Sequence, residues 1–536
     1  MADTTREIER KFEFTPADGK RSKQSKQSKR ARQEVPDLTG TAAIAAVSDQ
    51  GTVDLDAVYY DTPDQRLAAD GLTLRRRTGG ADAGWHLKLP VSPGIREEIA
   101  APLGDGDDGG GARDGADDGD RDGATVPGSL AALVRSRVRH TALEPQVRIL
   151  SSRRVSHLLD ADGALLAELS TDTVVAERDE ATAAWTEVEV ELADGTDPAL
   201  LDAVEKTFRK AGLRVSDAPS KLARALAETG TALPARPGPG DLDGTAGAYV
   251  LAYLWKQRDA LMAHDPAVRR DLPDAVHQMR VAGRRLRSAF KTYRKVLDRT
   301  ATDPVGRELR WLSGELGVDR DQEVLLEGIR TRLDELPGNL RVGPVDSRLR
   351  AWNDTRRSAS RRRALAVLDN RRYLALLDSL DALLADPPLR KAASGRAERV
   401  LPKAVLRDYE RLAGRIDGAL DLPEGDERDR ALHGARKAAK RARYAADAAV
   451  PALGKPAKRL TKAVKRVQSL LGDHQDAVVA REALRGLAAE AEEAGESAFT
   501  WGVLYAREEA VAERCERELP DTWAKASDPA LRAALG

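Results

Sequence analysis

His277–Arg287 reads HQMRVAGRRLR, and the pattern returns as HGARKAAKRAR at His433–Arg443, an offset of 433 − 277 = 156 residues. Offsets 0, 3, 7 and 10 carry His277, Arg280, Arg284 and Arg287 in the first copy, and His433, Arg436, Lys440 and Arg443 in the second. At about 100° of rotation per residue these positions fall within roughly 80° of arc, so each segment predicts a helix with one imidazole and three cations on a single stripe. Like charges repel and lose hydration when they converge, so paired stripes call for an anion between them. The duplication decides the C-terminal half: two copies of one helical unit that offer facing half-sites to a polyanion.

A second correspondence supports the repeat. Arg307-x-x-Arg310 followed by Leu316-Gly317 matches Lys462-x-x-Lys465 followed by Leu471-Gly472, at an offset of 155. The second copy continues as Asp473-His474-Gln475-Asp476 where the first has Val318-Asp319-Arg320-Asp321. The first stripe extends to Lys291 and Arg294, whereas the second has Asp447 and Val450 there, so the half-sites are expected to be unequal. The candidate anion contacts are His277, Arg280, Arg284, Arg287, Lys291, Arg310, His433, Arg436, Lys440, Arg443, Lys465 and His474. A zinc site is the other use of histidines, but no cysteine or carboxylate cluster accompanies these at ligand spacing.

Outward from this region, composition sets bounds. A chain of 536 residues predicts two or three domains. The 87 basic and 87 acidic residues cancel, so net charge says nothing about partners, although the signs segregate locally. A single cysteine, Cys515, excludes an intramolecular disulfide framework. The N-terminus has no apolar signal-like run, and no stretch reaches the roughly 18 apolar residues of a membrane span. The expectation is a soluble cytoplasmic protein without a membrane partner.

Residues 5–227 alternate short strand-like runs with polar turns, as in Glu187-Val188-Glu189-Val190-Glu191. Two low-complexity insertions, about 15–36 (basic) and 104–125 (Asp/Gly-rich), are expected to be mobile loops. Residues 228–247 form a Pro/Gly linker, and 248–534 read as helical, with repeats at about 248–395 and 396–534. The fold class expected is multidomain α+β.

Glu7, Glu9 and Lys11 share one face of a strand. Arg75 and Arg77 share another, Lys88 follows, Arg153 or Arg154 adds a cation, and Glu187, Glu189 and Glu191 form an acidic ladder. Strands that turn both signs inward suggest a closed barrel with a polar lumen, in which cations hold phosphate oxygens and carboxylates hold a hard divalent ion. A half-exposed sheet with a solvated charged face is the plainer alternative.

These phrases, with Tyr59-Tyr60-Asp61-Thr62-Pro63, Arg96-Glu97-Glu98 and Ser220-Lys221-x-x-Arg224-Ala225-Leu226, resemble the CYTH domain of the triphosphate tunnel metalloenzyme superfamily. The resemblance implies an eight-stranded antiparallel tunnel acting on triphosphates with Mg²⁺ or Mn²⁺. Carried onto this chain, it gives the metal to Glu7, Glu9, Asp172, Glu187, Glu189 and Glu191, the catalytic role to Glu7, Glu9 and Lys11, and phosphate contacts to Lys11, Arg75, Arg77, Lys88, Arg154 and Lys221. The repeated segments His277–Arg287 and Leu471–Asp476 resemble the CHAD domain, the conserved-histidine α-helical domain. That resemblance implies a pair of four-helix bundles with approximate two-fold symmetry that bind inorganic polyphosphate. Together they predict a metal-dependent inorganic triphosphatase or short-chain polyphosphatase carrying a polyphosphate-binding module. The competing expectation is a non-catalytic protein that binds polyphosphate or is targeted to polyphosphate granules. Nucleic acid is a weaker candidate partner, because no aromatic stacking platform interleaves the basic helices.

Overall fold

The computed structural model describes residues 3–15, 34–104, 124–317 and 320–535. The insertions expected to be loops lie mostly outside these ranges. The chain divides into two compact units, 1–236 and 237–536, with the boundary inside the expected linker. Among the described residues no helix is long and apolar enough to cross a membrane.

The first unit is built from β1 (Asp3–Phe14), β2 (Ala46–Asp61), α1 (Arg66–Ala69), β3 (Thr73–Thr78), β4 (Gly84–Ser92), β5 (Ile95–Ala101), α2 (Gly128–Val138), β6 (Glu144–Leu159), β7 (Leu165–Arg178), β8 (Ala181–Leu192), α3 (Ala199–Lys210), β9 (Leu213–Val215) and α4 (Lys221–Glu228). The sheet runs β5-β4-β3-β2-β6-β7-β8-β1, and antiparallel pairing of β5 with β1 closes it into a ring of eight strands. The short β9 adds to the end of β1. Closure leaves no free edge among the eight and forces side chains to alternate between lumen and exterior.

The exterior positions are apolar and buried by helices. Phe12, Val188 and Val190 pack with Leu200, Val204 and Phe208 of α3, while Leu74, Trp85 and Leu87 pack with Leu130 and Val134 of α2. The lumen positions change character along each strand. On β6 they run Val147, Ile149, Ser151, Arg153; on β7, Ala176, Val174, Asp172, Ser170; on β8, Ala183, Trp185, Glu187, Glu189. The pairings Arg153↔Asp172 and Asp172↔Glu187 bring the charged positions together. Leu222, Ala225 and Leu226 of α4 fill the apolar end against Ala57, Val147, Val174 and Trp185. Burying each leucine stabilises by roughly 1.5–3 kcal/mol.

The second unit comprises α5 (Ala246–Arg269), α6 (Ala275–Thr292), α7 (Arg299–Glu315), α8 (Arg320–Asp334), α9 (Val345–Leu368), α10 (Arg371–Ala385), α11 (Ala397–Leu420), α12 (Asp426–Leu453), α13 (Lys455–Glu493), α14 (Phe499–Ala526) and α15 (Pro529–Ala533). The repeats start side by side. Thr245 bridges Arg396, with Ala246 N–H donating to the Gly395 carbonyl at 2.8 Å and Ala397 N–H to that of Gly244 at 3.0 Å. Helices α6 and α12, the two stripe helices, bury Leu286 and Phe290 in one cluster with Ala435, Ala442 and Ala449, so the repeats share a core. The alanines of α12 allow close approach, and Tyr293 O–H donates to the Ala445 carbonyl at 2.8 Å across the joint. The copies differ in one respect: α7 and α8 together occupy the sequence counterpart of the single 39-residue α13.

Candidate active site and anion-binding stripes

The charged end of the ring encloses a cavity of about 360 Å³. Its lining includes Glu7, Glu9 and Lys11 from β1, Arg75 and Arg77 from β3, Lys88 from β4, Glu189 and Glu191 from β8, and Lys221 from α4. Strand alternation puts these side chains inside because their neighbours (Ile8, Leu74, Leu87, Val190) are claimed by the exterior clusters.

Most lumen cations are matched by carboxylates. Lys88 Nζ lies 2.7 Å from Glu7 and 2.8 Å from Glu98; Lys11 pairs with Glu189 and lies 3.4 Å from Glu9. Arg153 contacts Asp172 at 2.8 Å and Glu189 at 3.1 Å. Lys221 Nζ sits 2.9 Å from Asp172 and 2.7 Å from both Glu187 and Glu189. Burial, with a hydrogen bond to Glu98, pushes the Glu7 carboxyl up to about 8. Burial opposes ionisation of Glu189 too, but Lys11, Lys221 and Arg153 outweigh it and hold Glu189 well below the usual carboxylate range. Lys221 is likewise held protonated, against burial, by Glu187, Glu189 and Asp172.

Arg75 and Arg77 are different. Among the described residues each has a buried Nε without a hydrogen-bond partner; Arg75 reaches the Tyr59 hydroxyl, at 3.5 Å, and Arg77 pairs with Asp82. Burial and the neighbouring Arg75 charge bring Arg77 down to about 10. Buried guanidinium donors left unmet in this way are ones that an anion could satisfy. Across the lumen, carboxylate oxygens of Asp172, Glu187 and Glu189 lie within 4.8 Å of one another. The Lys221 ammonium among them stands where a cation is favoured, and the all-oxygen donor set fits a hard divalent ion.

Two expected contacts are placed elsewhere. Arg154 points outward, pairs with Asp49 at 2.7 Å and is 65% exposed, while Arg153 enters the lumen; strand parity allows only one of two consecutive residues inside. His474 is buried, its Nε2 3.2 Å from Glu516 and 3.3 Å from Asp429. It lies 474 − 465 = 9 residues after Lys465, which on a helix is about half a turn away, so the two cannot share a stripe. Lys465 itself lines a separate basic pocket with Lys462, Arg466 and Lys525. Tyr59 and Glu98 stand in motifs quoted for the resemblance, but neither they nor His86 carry a site role in the sequence reading. The alternation of β4 and β5 would have found Glu98, which stands opposite Lys88 in the register.

Both stripe segments lie on helices, α6 and α12, and carry a further device. The Arg280 guanidinium lies against Gly317, where a Cβ would be 2.7 Å from Nη2, and Arg436 lies against Gly472 at 3.7 Å. The two motifs of each repeat are thus one unit, with the glycine making room for the stripe arginine. In the second copy Arg436 also meets Asp476 at 3.3 Å, and Arg443 donates to Gln468 at 2.6 Å and covers the Tyr444 ring at 4.6 Å. In the first copy burial and the charges of Arg310 and Arg284 lower Arg287, and burial with Arg287, Arg441 and Arg310 lowers Lys291. His433 is lowered by burial and by Lys437, against a side-chain hydrogen bond with Gln475, and among the described residues its Nδ1 is buried without a partner.

Comparison with known proteins agrees with this architecture. A CYTH domain model matches residues 5–226 and a CHAD domain model matches residues 252–485. Two proteins from strains of Mycobacterium tuberculosis, both described as uncharacterized, are each 38% identical over 518 residues, covering 93% of this chain and 94% of theirs. Among solved structures, PptA from Streptomyces chartreusis is similar with a TM-score of 0.43 and 23% identity, covering 52% of this chain and 99% of that one. The CHAD domain from the plant Ricinus communis gives a TM-score of 0.39 and 26% identity, covering 55% and 93%. The chain, in which a CYTH domain precedes a CHAD domain, belongs to the family of these mycobacterial proteins.

Proposed function

We propose that the protein is a metal-dependent inorganic triphosphatase or short-chain polyphosphatase whose helical unit binds polyphosphate. The observation that supports this most is a single cavity lined both by Arg75 and Arg77, whose Nε groups are unsatisfied, and by Glu7, Glu9, Glu189 and Glu191, with Glu189 joining Asp172 and Glu187 in a carboxylate cluster at its wall. Few ligands need both an anion receptor and a cation cage within one small cavity; a metal-bound phosphate chain does.

Glu7, Glu9, Asp172, Glu187, Glu189 and Glu191 would hold Mg²⁺ or Mn²⁺, whose charge favours negative charge building on a transferring phosphoryl group. Arg75 and Arg77 fix phosphate oxygens through planar, bidentate donors, while Lys11 and Lys88 add point charges. Lys11, Lys88 and Lys221 exchange carboxylate partners for phosphate oxygens as a substrate enters. Catalysis in such a site is mostly positioning and electrostatics, because phosphoryl transfer asks for little covalent chemistry from the protein. The stripes of α6 and α12 hold a polyphosphate chain by phosphate–guanidinium contacts that weaken with salt.

Orthophosphate release from triphosphate, polyphosphate, ATP and thiamine triphosphate, with and without Mg²⁺ or Mn²⁺, tests the reading. Metal-dependent release from triphosphate is expected. Polyphosphate retention without any release would instead favour a binding protein or a granule-targeting one.

A further inference from the structure

The lumen is polar at one end only, and the change is abrupt. Lys221, the first residue of α4, touches three carboxylates, whereas Leu222, the next residue, and Leu226, a little over one turn on, are 1% exposed and packed against the apolar strand positions. The opposite end of the cavity is bordered by Leu165, Glu168 and Ala193, residues at the start of β7 and the end of β8. The same end carries Asp82, from the connection between β3 and β4. The charged chamber therefore has a mouth at one end and a floor at Lys221.

We propose that this chamber is blind and that the protein attacks polyphosphate only from a chain end. The inference rests on the triphosphatase reading of the same site. To cut an internal bond, a chain must continue past the reacting phosphorus on both sides, and the packed α4 leaves nowhere for the far side to go. A chain end suits the chamber for a second reason. A terminal phosphate carries up to two negative charges and an internal one carries one, so Arg75, Arg77 and Lys88 together favour the terminus. In the reaction, water oxygen bonds to the terminal phosphorus and the bond from that phosphorus to the bridging oxygen breaks. The bridging oxygen keeps the electron pair as the new chain end, orthophosphate leaves, and the proton set free passes to solvent.

The test uses the full-length protein with Mg²⁺ or Mn²⁺ and three substrates: inorganic triphosphate, a polyphosphate of defined medium length, and the same polyphosphate blocked at both ends through phosphoramidate bonds. Orthophosphate is measured and the chains are sized on a gel. We expect triphosphate to be hydrolysed, the open chain to shorten stepwise with orthophosphate accumulating, and the blocked chain to react at least tenfold more slowly. Fragments of intermediate length from the blocked chain would overturn the inference and leave the triphosphatase reading intact. Hydrolysis of triphosphate with neither chain attacked would also overturn it, since chain ends would then not enter. If triphosphate itself is untouched, the functional reading falls and takes the inference with it.

Discussion

In the β ring, Lys11, Lys88, Arg153 and Lys221 each touch at least two carboxylates, whereas Arg284, Arg287, Lys291 and Arg310 of the helical unit have no ion-pair partner among the described residues. The same residue types are handled in opposite ways. In the lumen, desolvation is severe and most charges, Arg75 excepted, are met by an opposite charge inside the protein, so a ligand has to exchange partners with them as it enters. On the stripe, among the described residues, the cations are part-buried to exposed, Arg284 Nε is buried and unmet, and like charges lie beside one another without a carboxylate between them. On the proposed function, the lumen would discriminate between ligands and the stripe would capture them.

Four experiments break or sharpen that contrast. The largest effect belongs to Glu7→Gln combined with Glu9→Gln, which should lower phosphate release by at least about 100-fold while leaving polyphosphate retention unchanged; turnover that survives would remove the metal assignment. Next, Arg287→Ala with Lys291→Ala should weaken polyphosphate binding and reduce the slope of log affinity against log salt by about 0.7 for each cation lost. An unchanged slope in salt-titrated binding would mean that these residues lie off the ligand path.

The third experiment compares the two stripe glycines. A Cβ at position 317 would lie 2.7 Å from Arg280 Nη2 and 2.8 Å from the Ser313 carbonyl oxygen, so Gly317→Ala should cost about 1–3 kcal/mol in thermal unfolding. Gly472→Ala, with its nearest neighbours at 3.7 Å, should be close to neutral. Equal effects would show that the copies are packed alike. The smallest effect concerns His433. Because burial and nearby cations hold its imidazole below the ordinary value, it is neutral at pH 7, and the free protein binds fewer protons there than its unfolded chain does. Stability of the unliganded unit from this group is therefore present above about pH 6.5 and falls as the pH drops through the lowered value. A polyanion raises that value, so binding should tighten modestly below pH 6.5 with proton uptake, measurable by calorimetry in buffers of different ionisation enthalpy.

The sequence made some of this legible and hid the rest for identifiable reasons. Glu187-Val188-Glu189-Val190-Glu191 could be read because its two faces differ in charge, and the histidine–arginine stripe because a helix preserves phase over eleven residues. Arg153 and Arg154 could not be separated. Parity on β6 is set by pairing with β2 and β7, where bulges shift the register between Asp49 and Gly51 and between Leu158 and Leu159. His474 was misassigned from position within a repeat, although its helical phase already pointed away from Lys465. The closed end of the lumen was hidden for another reason. Leu222 and Leu226 look like one face of any short amphipathic helix, and nothing local says that the face meets the inside of a barrel.

The unbroken α13 has a consequence for how the helical unit comes apart. At 39 residues it is roughly 58 Å long. Its first half, through Leu471, lies in the core shared by the repeats, and Leu484, Leu487 and Ala491 lie in a second core with Ile329, Leu349 and Trp501. One rod therefore runs through both cores. Melting of either exposes a helix on which the other depends, so loosening should spread along α13 from one core to the other. The first repeat assigns the corresponding residues to α7, which belongs to the shared core, and α8, which belongs to the second. The first repeat should therefore be able to release one core while keeping the other, whereas α13 ties the two cores together in the second repeat.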